Sequence, residues 1–228
     1  MTKNNEDFSN LKDGYDMFNG CTTLTSFNSN LTNLTKGERM FGNCKSLKSF
    51  ESDLSSLTCG SWMFDCCTSL TSFTSDLSSL TDGWTMFRWC ISLTDFGNDL
   101  SSLESGIYMF QHCIALTAFT SNLPKLIYGS SMFGCCKSLQ SFTSDLPNLT
   151  DGNAMFSGCT SLSSFSSDLS NLESCYYMFE GCTSLNEVTI IVDISKRPDW
   201  KKFFTKKNMS IRYDATLTIK DIDGNILI

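Results

Sequence analysis

Twelve cysteines and a single histidine, His112, are the residues of this 228-residue chain best suited to chemistry. A thiolate beside an imidazole makes a nucleophile pair, and close thiols make a disulfide or part of a zinc site. His112 does precede Cys113, and Cys66-Cys67 and Cys135-Cys136 are adjacent in the chain. The spacing argues against each of these uses. Eight cysteines, Cys21, Cys44, Cys67, Cys90, Cys113, Cys136, Cys159 and Cys182, stand 23 residues apart. Residues at a fixed period share one column of a stacked array, where Cys serves as a small inward hydrophobe. Cys113 then faces in while His112 faces out, and the members of each vicinal pair point to opposite sides. No Cys-x-x-Cys pair is present for zinc. A reduced, buried ladder is the expectation, with rung-to-rung disulfides as the alternative. Cys59, Cys66, Cys135 and Cys175 lie off the column and are expected to be more exposed, as free thiols that suit a reducing compartment. With no phosphate-binding glycine loop and no acidic metal loop, the chain is expected to be no enzyme, with no catalytic residue, no metal and no cofactor.

The elements that position these residues are spelled by one phrase, Met-Phe-x-x-Cys-x-x-Leu-x-x-Phe. Its first copy is Met17, Phe18, Cys21, Leu24 and Phe27, and Met returns at 40, 63, 86, 109, 132, 155 and 178. A period kept without insertion marks a solenoid of about eight equal coils over residues 11–187. Leu-x-x-Phe should be the parallel strand of each coil, and Met-Phe-x-x-Cys a turn or short helix on the opposite wall. A second apolar pair recurs as Leu31 and Leu34 through Leu169 and Leu172. Asn30, Asp53, Asp76, Asp99, Asn122, Asp145 and Asp168 precede those pairs, where such side chains bond their own backbone in a turn. Gly14, Gly37, Gly60, Gly83, Gly106, Gly129 and Gly152 form a column that implies either positive φ or close approach between coils. Cys175 in that column counts against a strict φ requirement.

The formal charge is −7, divided unevenly. Residues 1–187 carry 19 acidic and 9 basic side chains, and residues 188–228 carry 5 and 8. An acidic body argues against nucleic acid as ligand, which needs clustered Lys and Arg. No apolar run approaches the roughly 20 residues that cross a bilayer, so no membrane insertion is expected. The polar lead-in, residues 1–10, lacks the apolar core of a signal peptide.

Gly-x-x-Met-Phe-x-x-Cys-x-x-Leu-x-x-Phe resembles the BspA-like leucine-rich repeat, a 23-residue form usually written with Ala-Phe. Met-Phe itself is similar to a sister bacterial-surface repeat of slightly greater length. The likeness covers about residues 11–187. The family usually places an aliphatic residue and then Pro after the strand, where this chain has Ser29-Asn30 or Ser52-Asp53. The resemblance implies a leucine-rich-repeat-like right-handed stack with one parallel β-sheet, serving as a surface or secreted adhesion module. It supplies no catalytic residues.

From Val188 the pattern stops. Val188, Ile190 and Val192 alternate as a strand does. Residues 199–206 read as a short helix whose Trp200, Phe203 and Phe204 could plug the last coil. Residues 210–220 and 225–228 read as two strands joined through Asp223-Gly224. Residues 188–228 are thus expected to be a small α/β C-terminal cap or a docking segment for an assembly partner.

The positions that packing does not dictate carry what the chain can say about function. Trp62, Trp84, Arg88, Trp89, Tyr108 and His112 fall in the variable columns of consecutive middle coils and should gather on one wall. Trp, Tyr and Arg dominate binding hot spots, so these six are the candidate ligand-binding residues for a protein or glycan. The competing reading folds some of the rings back over the Met-Phe wall as local core. Two functions follow: a non-catalytic recognition and adhesion module, or a structural component, such as a spacer or host-attachment subunit of a phage virion. The first follows the resemblance; the second follows the many free thiols and the missing leader.

Overall fold

The computed structural model describes residues 7–228; the first six residues of the lead-in lie outside the described residues. The chain forms the expected repeat solenoid. Strands β1 (Ser26–Phe27) and β2 (Ser49–Phe50) pair in parallel, as do β3 (Asp95–Phe96) and β4 (Ala118–Phe119). A third ladder runs in the order β5 (Ser141–Phe142), β6 (Ser164–Asp168), β7 (Glu187–Val192) and β8 (Thr216–Asp221). Where one sheet was expected, the parallel strands therefore run in three pieces. The break after β2 falls at the coil of Leu70 and Phe73, where the Thr94 amide reaches the Thr71 carbonyl at a long 3.5 Å. A second parallel seam links Asp13, Lys36, Cys59, Asp82, Ser105, Tyr128, Asp151 and Ser174, one bridge per coil.

No coil can bury its own apolar residues, so its neighbours do it. Met63, Phe64, Cys67 and Leu70 of one coil are all fully buried. The two phenylalanine columns interlock. Phe41 and Phe64 stack nearly parallel at 5.6 Å, and Phe50 meets Phe64 edge-on at 4.8 Å. Edge-to-face and offset geometries are those that aromatic quadrupoles favour. The column continues through the interrupted sheet, with Phe73 at 5.8 Å from Phe50 and 6.2 Å from Phe96.

The glycine column answers close approach, not positive φ. An added Cβ at Gly37 would lie 2.7 Å from the Met63 sulfur of the next coil, and one at Gly60 would lie 2.8 Å from that of Met86. Cys175 takes this place in the last coil, beyond which the 23-residue pattern gives way to the cap and the Phe179 amide meets the Met209 carbonyl. The turn carboxylates act as expected where they can. Asp53, Asp76, Asp99 and Asp168 accept from the amide two residues on, as does the Asn30 side chain. At Asn122 and Asp145 that residue is Pro124 or Pro147, which has no N–H.

The C-terminal elements depart from the expected boundaries. Two single-turn helices, α1 (Trp200–Phe203) and α2 (Lys206–Met209), replace one helix, because Thr205 is extended and caps α2 by accepting from the Asn208 amide. Trp200, Phe204 and Met209 are buried, while Phe203 is half-buried. Ser210, at φ 55°, ends α2, so the strand begins only at Thr216. The turn at Gly224 brings Ile226 antiparallel to Lys220, and the second strand shrinks to that bridge.

Candidate functional site

The Met-Phe wall is built of consecutive turns, and each coil there holds two residues with left-handed backbone. The residue before each Met is one: Asp16, Arg39, Trp62, Thr85, Tyr108, Ser131, Ala154 and Tyr177 have φ between 51° and 60°. The residue before each ladder Cys is the other. Gly occupies it at Gly20, Gly158 and Gly181, yet Trp89 and His112 hold it at φ 60° and 62°. A side chain there costs about 1–2 kcal/mol relative to ordinary backbone. The backbone bonds of this wall run from coil to coil: the Trp62 amide donates to the Trp84 carbonyl, and the Trp89 amide to Gln111. All six candidate residues therefore share one wall, held at fixed heights.

Packing joins them in pairs. Trp89 and His112 stack face to face at 3.9 Å with an interplanar angle of 10°. Trp62 and Trp84 sit tilted at 4.1 Å. Tyr108 makes no ring contact with either pair among the described residues. Trp84, Trp89 and Tyr108 are exposed at 39%, 42% and 37%, so they are not core. Trp62 is half-buried beneath Trp84 and beside the Arg39 guanidinium, 5.1 Å from its ring. Arg88 is fixed by a fork: its Nε and Nη2 donate to the two oxygens of buried Asp65 at 2.9 and 3.0 Å. Burial lowers the His112 pKa, helped by the positive charges of Lys137 and Arg88, which favours the neutral ring.

The thiols are free, as the column arrangement predicts. Each inward Sγ donates to the phenylalanine carbonyl of the preceding coil, for example Cys90 to Phe64 and Cys113 to Phe87 at 3.2 and 3.1 Å. Burial pushes the Cys44 and Cys182 thiols up to about 12 and those of the middle rungs higher still. Cys113 is therefore held as a neutral thiol on the far side of its backbone from His112. Two thiols depart from expectation. Cys175 is buried at 3% exposure because it fills the glycine column, and Cys21 is exposed on the first coil of the described residues.

Several residues of this wall escape a reading by residue type. Tyr176 and Tyr177 are exposed at 62% and 59%, more than any of the six. Arg39, Asp65 and Gly42 also shape the surface beside Trp62. The signal for Arg39 lay in its column, which it shares with Trp62 and Tyr108. Among the described residues no cluster of His, Cys, Asp and Glu could hold a metal ion, and no helix is long and apolar enough to cross a membrane.

Residues 12–117 and 85–209 match the BspA type leucine rich repeat region, in six copies. Among solved structures, a leucine-rich repeat protein from Bacteroides ovatus ATCC 8483 superposes with a TM-score of 0.57 at 22% identity. That match covers 89% of this chain and 56% of the other, so this chain spans little more than half of that protein's length. A leucine rich cell surface protein from Faecalibacterium prausnitzii A2-165 gives a TM-score of 0.42 at 17% identity, over 87% of this chain and 79% of that one. No curated protein matches the chain.

Proposed function

The chain belongs to the BspA-type leucine-rich repeat family, and from that premise we propose that it is a non-catalytic recognition module. It binds a protein or glycan, as an adhesin does, through Trp62, Trp84, Arg88, Trp89, Tyr108 and His112. The observation that carries this reading is the Trp89–His112 stack. Both residues occupy a left-handed position that glycine fills in other coils, and both spend backbone stability there to hold rings at the surface. Large aromatics beside an ordered guanidinium are the residue types that anchor interfaces.

The test is a Trp62→Ala, Trp84→Ala, Trp89→Ala triple variant beside the parent, on a glycan array and a panel of immobilised extracellular proteins. The parent should capture a ligand that the variant loses, with circular dichroism unchanged. Equal capture by both would remove the reading. A second reading, an assembly subunit or spacer such as a virion component, draws on exposed Ile222, Ile226 and Ile228 near the β8 edge. It expects self-association or a partner at residues 188–228, measurable by light scattering.

A further inference from the structure

We propose that a hollow beside Trp62 is the subsite for a carboxylated sugar, with Arg39 as the group that holds the carboxylate. This rests on the recognition reading above and gives part of that wall a ligand class. The hollow has a volume of about 210 Å³ and opens between the first four coils. Its floor is Gly42, which lies in the column of Asn19, Asp65 and Arg88. The fold does not require glycine at that point. Its φ is not left-handed, and an added Cβ would come closest to the Asn19 side-chain oxygen, at 3.0 Å, which can turn away. Glycine at this position therefore leaves room where the neighbouring coils place a polar side chain.

Two guanidiniums line that space, and only one is neutralised. Asp65 takes Nε and Nη2 of Arg88. Arg39 has no carboxylate partner among the described residues, and its guanidinium lies over the Trp62 ring. Of the charged groups lining the hollow, Arg88 and Asp65 neutralise each other, which leaves Arg39 as its unbalanced charge. A guanidinium fork matches a carboxylate in shape as well as charge, and packing on an indole pre-orders it.

A carboxylate alone would need only Arg39. The other walls suit a ring bearing hydroxyls. The amides of Asn19 and Asn43 stand side by side, with Asn43 Nδ2 donating to Asn19 Oδ1 at 3.4 Å, and they offer both donors and acceptors. Asn19 Nδ2 is anchored from outside by Asp16 at 3.0 Å. The indole of Trp62 supplies a flat apolar surface for the C–H face of a sugar ring. Polar groups that converge on an apolar wall are the ordinary makeup of a small-ligand site. A uronic or sialic acid at the end of a glycan has all three partners for these groups: an apolar ring face, hydroxyls and a carboxylate.

The test is isothermal titration calorimetry of the whole chain with 3′-sialyllactose, a glucuronate-terminated trisaccharide, lactose and a short Glu-containing peptide. The parent should bind at least one carboxylated sugar at least tenfold more tightly than lactose. Arg39→Gln should lose tenfold or more, Arg39→Lys less, and Gly42→Gln should abolish binding by filling the space. Each variant is first shown to melt with the parent. Absence of binding by either carboxylated sugar overturns the proposal, as does equal binding of lactose or full affinity in Arg39→Gln. Arg39-dependent binding of the peptide with no sugar bound also overturns it, in favour of a protein ligand. Trp89→Ala separates the two readings, because Trp89 lies outside the hollow. If the triple Trp variant loses a ligand that Arg39→Gln keeps, the wall still recognises and the hollow does not.

Discussion

At the scale of single residues, the wall is defined by side chains placed where the backbone prefers none. Trp89 at φ 60° is the sharpest case, with Gly20, Gly158 and Gly181 in equivalent positions. Trp89→Ala removes the ring stack and keeps the strained backbone, whereas Trp89→Gly removes both. We expect the Gly variant to be more stable than the Ala variant by about 1 kcal/mol in urea unfolding, the reverse of the usual order. An Ala variant as stable as the Gly variant would mean that the backbone carries no strain there. This column was partly legible in the sequence. Gly in three coils and Asn43 in a fourth are the residues that tolerate left-handed backbone, and they share a column with Trp89 and His112. What periodicity does not convey is depth: the hollow depends on Gly42 lacking a side chain beneath Arg39, and spelling gives no height above a surface.

At the scale of the coil, the contact between glycine and methionine sets how closely neighbours approach. Gly37 meets Met63 at 2.7 Å for an added Cβ, and Met63 is fully buried, so its side chain would have to shift within a packed core. At Gly152 the nearest atoms would be leucine methyls at 3.2 Å. Gly37→Ala should therefore cost about 1–3 kcal/mol through overpacking, even though removing glycine reduces unfolded-state freedom. Gly152→Ala should stay within about 1 kcal/mol of the parent. Paired thermal melts check this, and equal shifts would contradict it. The apolar columns that make the coil were plain in the sequence because each must be filled in every copy. The strands were less so. A coil that turns again just after Leu-x-x-Phe leaves two residues in ladder geometry, and small offsets decide whether neighbours pair, as at Phe73. The break between α1 and α2 follows from the Thr205 hydroxyl, a local choice that the apolar pattern from Trp200 to Met209 does not record.

At the scale of the whole molecule, one ladder of thiols runs the length of the stack, and its ionisation is a global property. In the folded chain the Cys44 and Cys182 thiols are raised from the ordinary 9.0 to about 12 by burial. A raised folded pKa gives stability that is complete below the unfolded value and is lost as pH climbs from about 9 towards 12. In that window the unfolded chain releases protons that the folded chain keeps, so the unfolding free energy falls, by up to about 1.4 kcal/mol per pH unit for each buried thiol. The urea midpoint should be flat near neutrality and drop steeply above pH 9. A Cys113→Ala, Cys136→Ala variant should show a shallower drop, and an unchanged slope would exclude the thiols as its source.

Translation by one coil carries the molecule onto itself, so the two faces left at its ends would fit each other. Head-to-tail joining of such faces does not close and grows into a filament. Among the described residues, residues that break the repetition lie across both faces and oppose such joining: Phe8 against Phe18 and Phe27 on the first coil, and Met209, whose carbonyl receives the Phe179 amide, beyond the last.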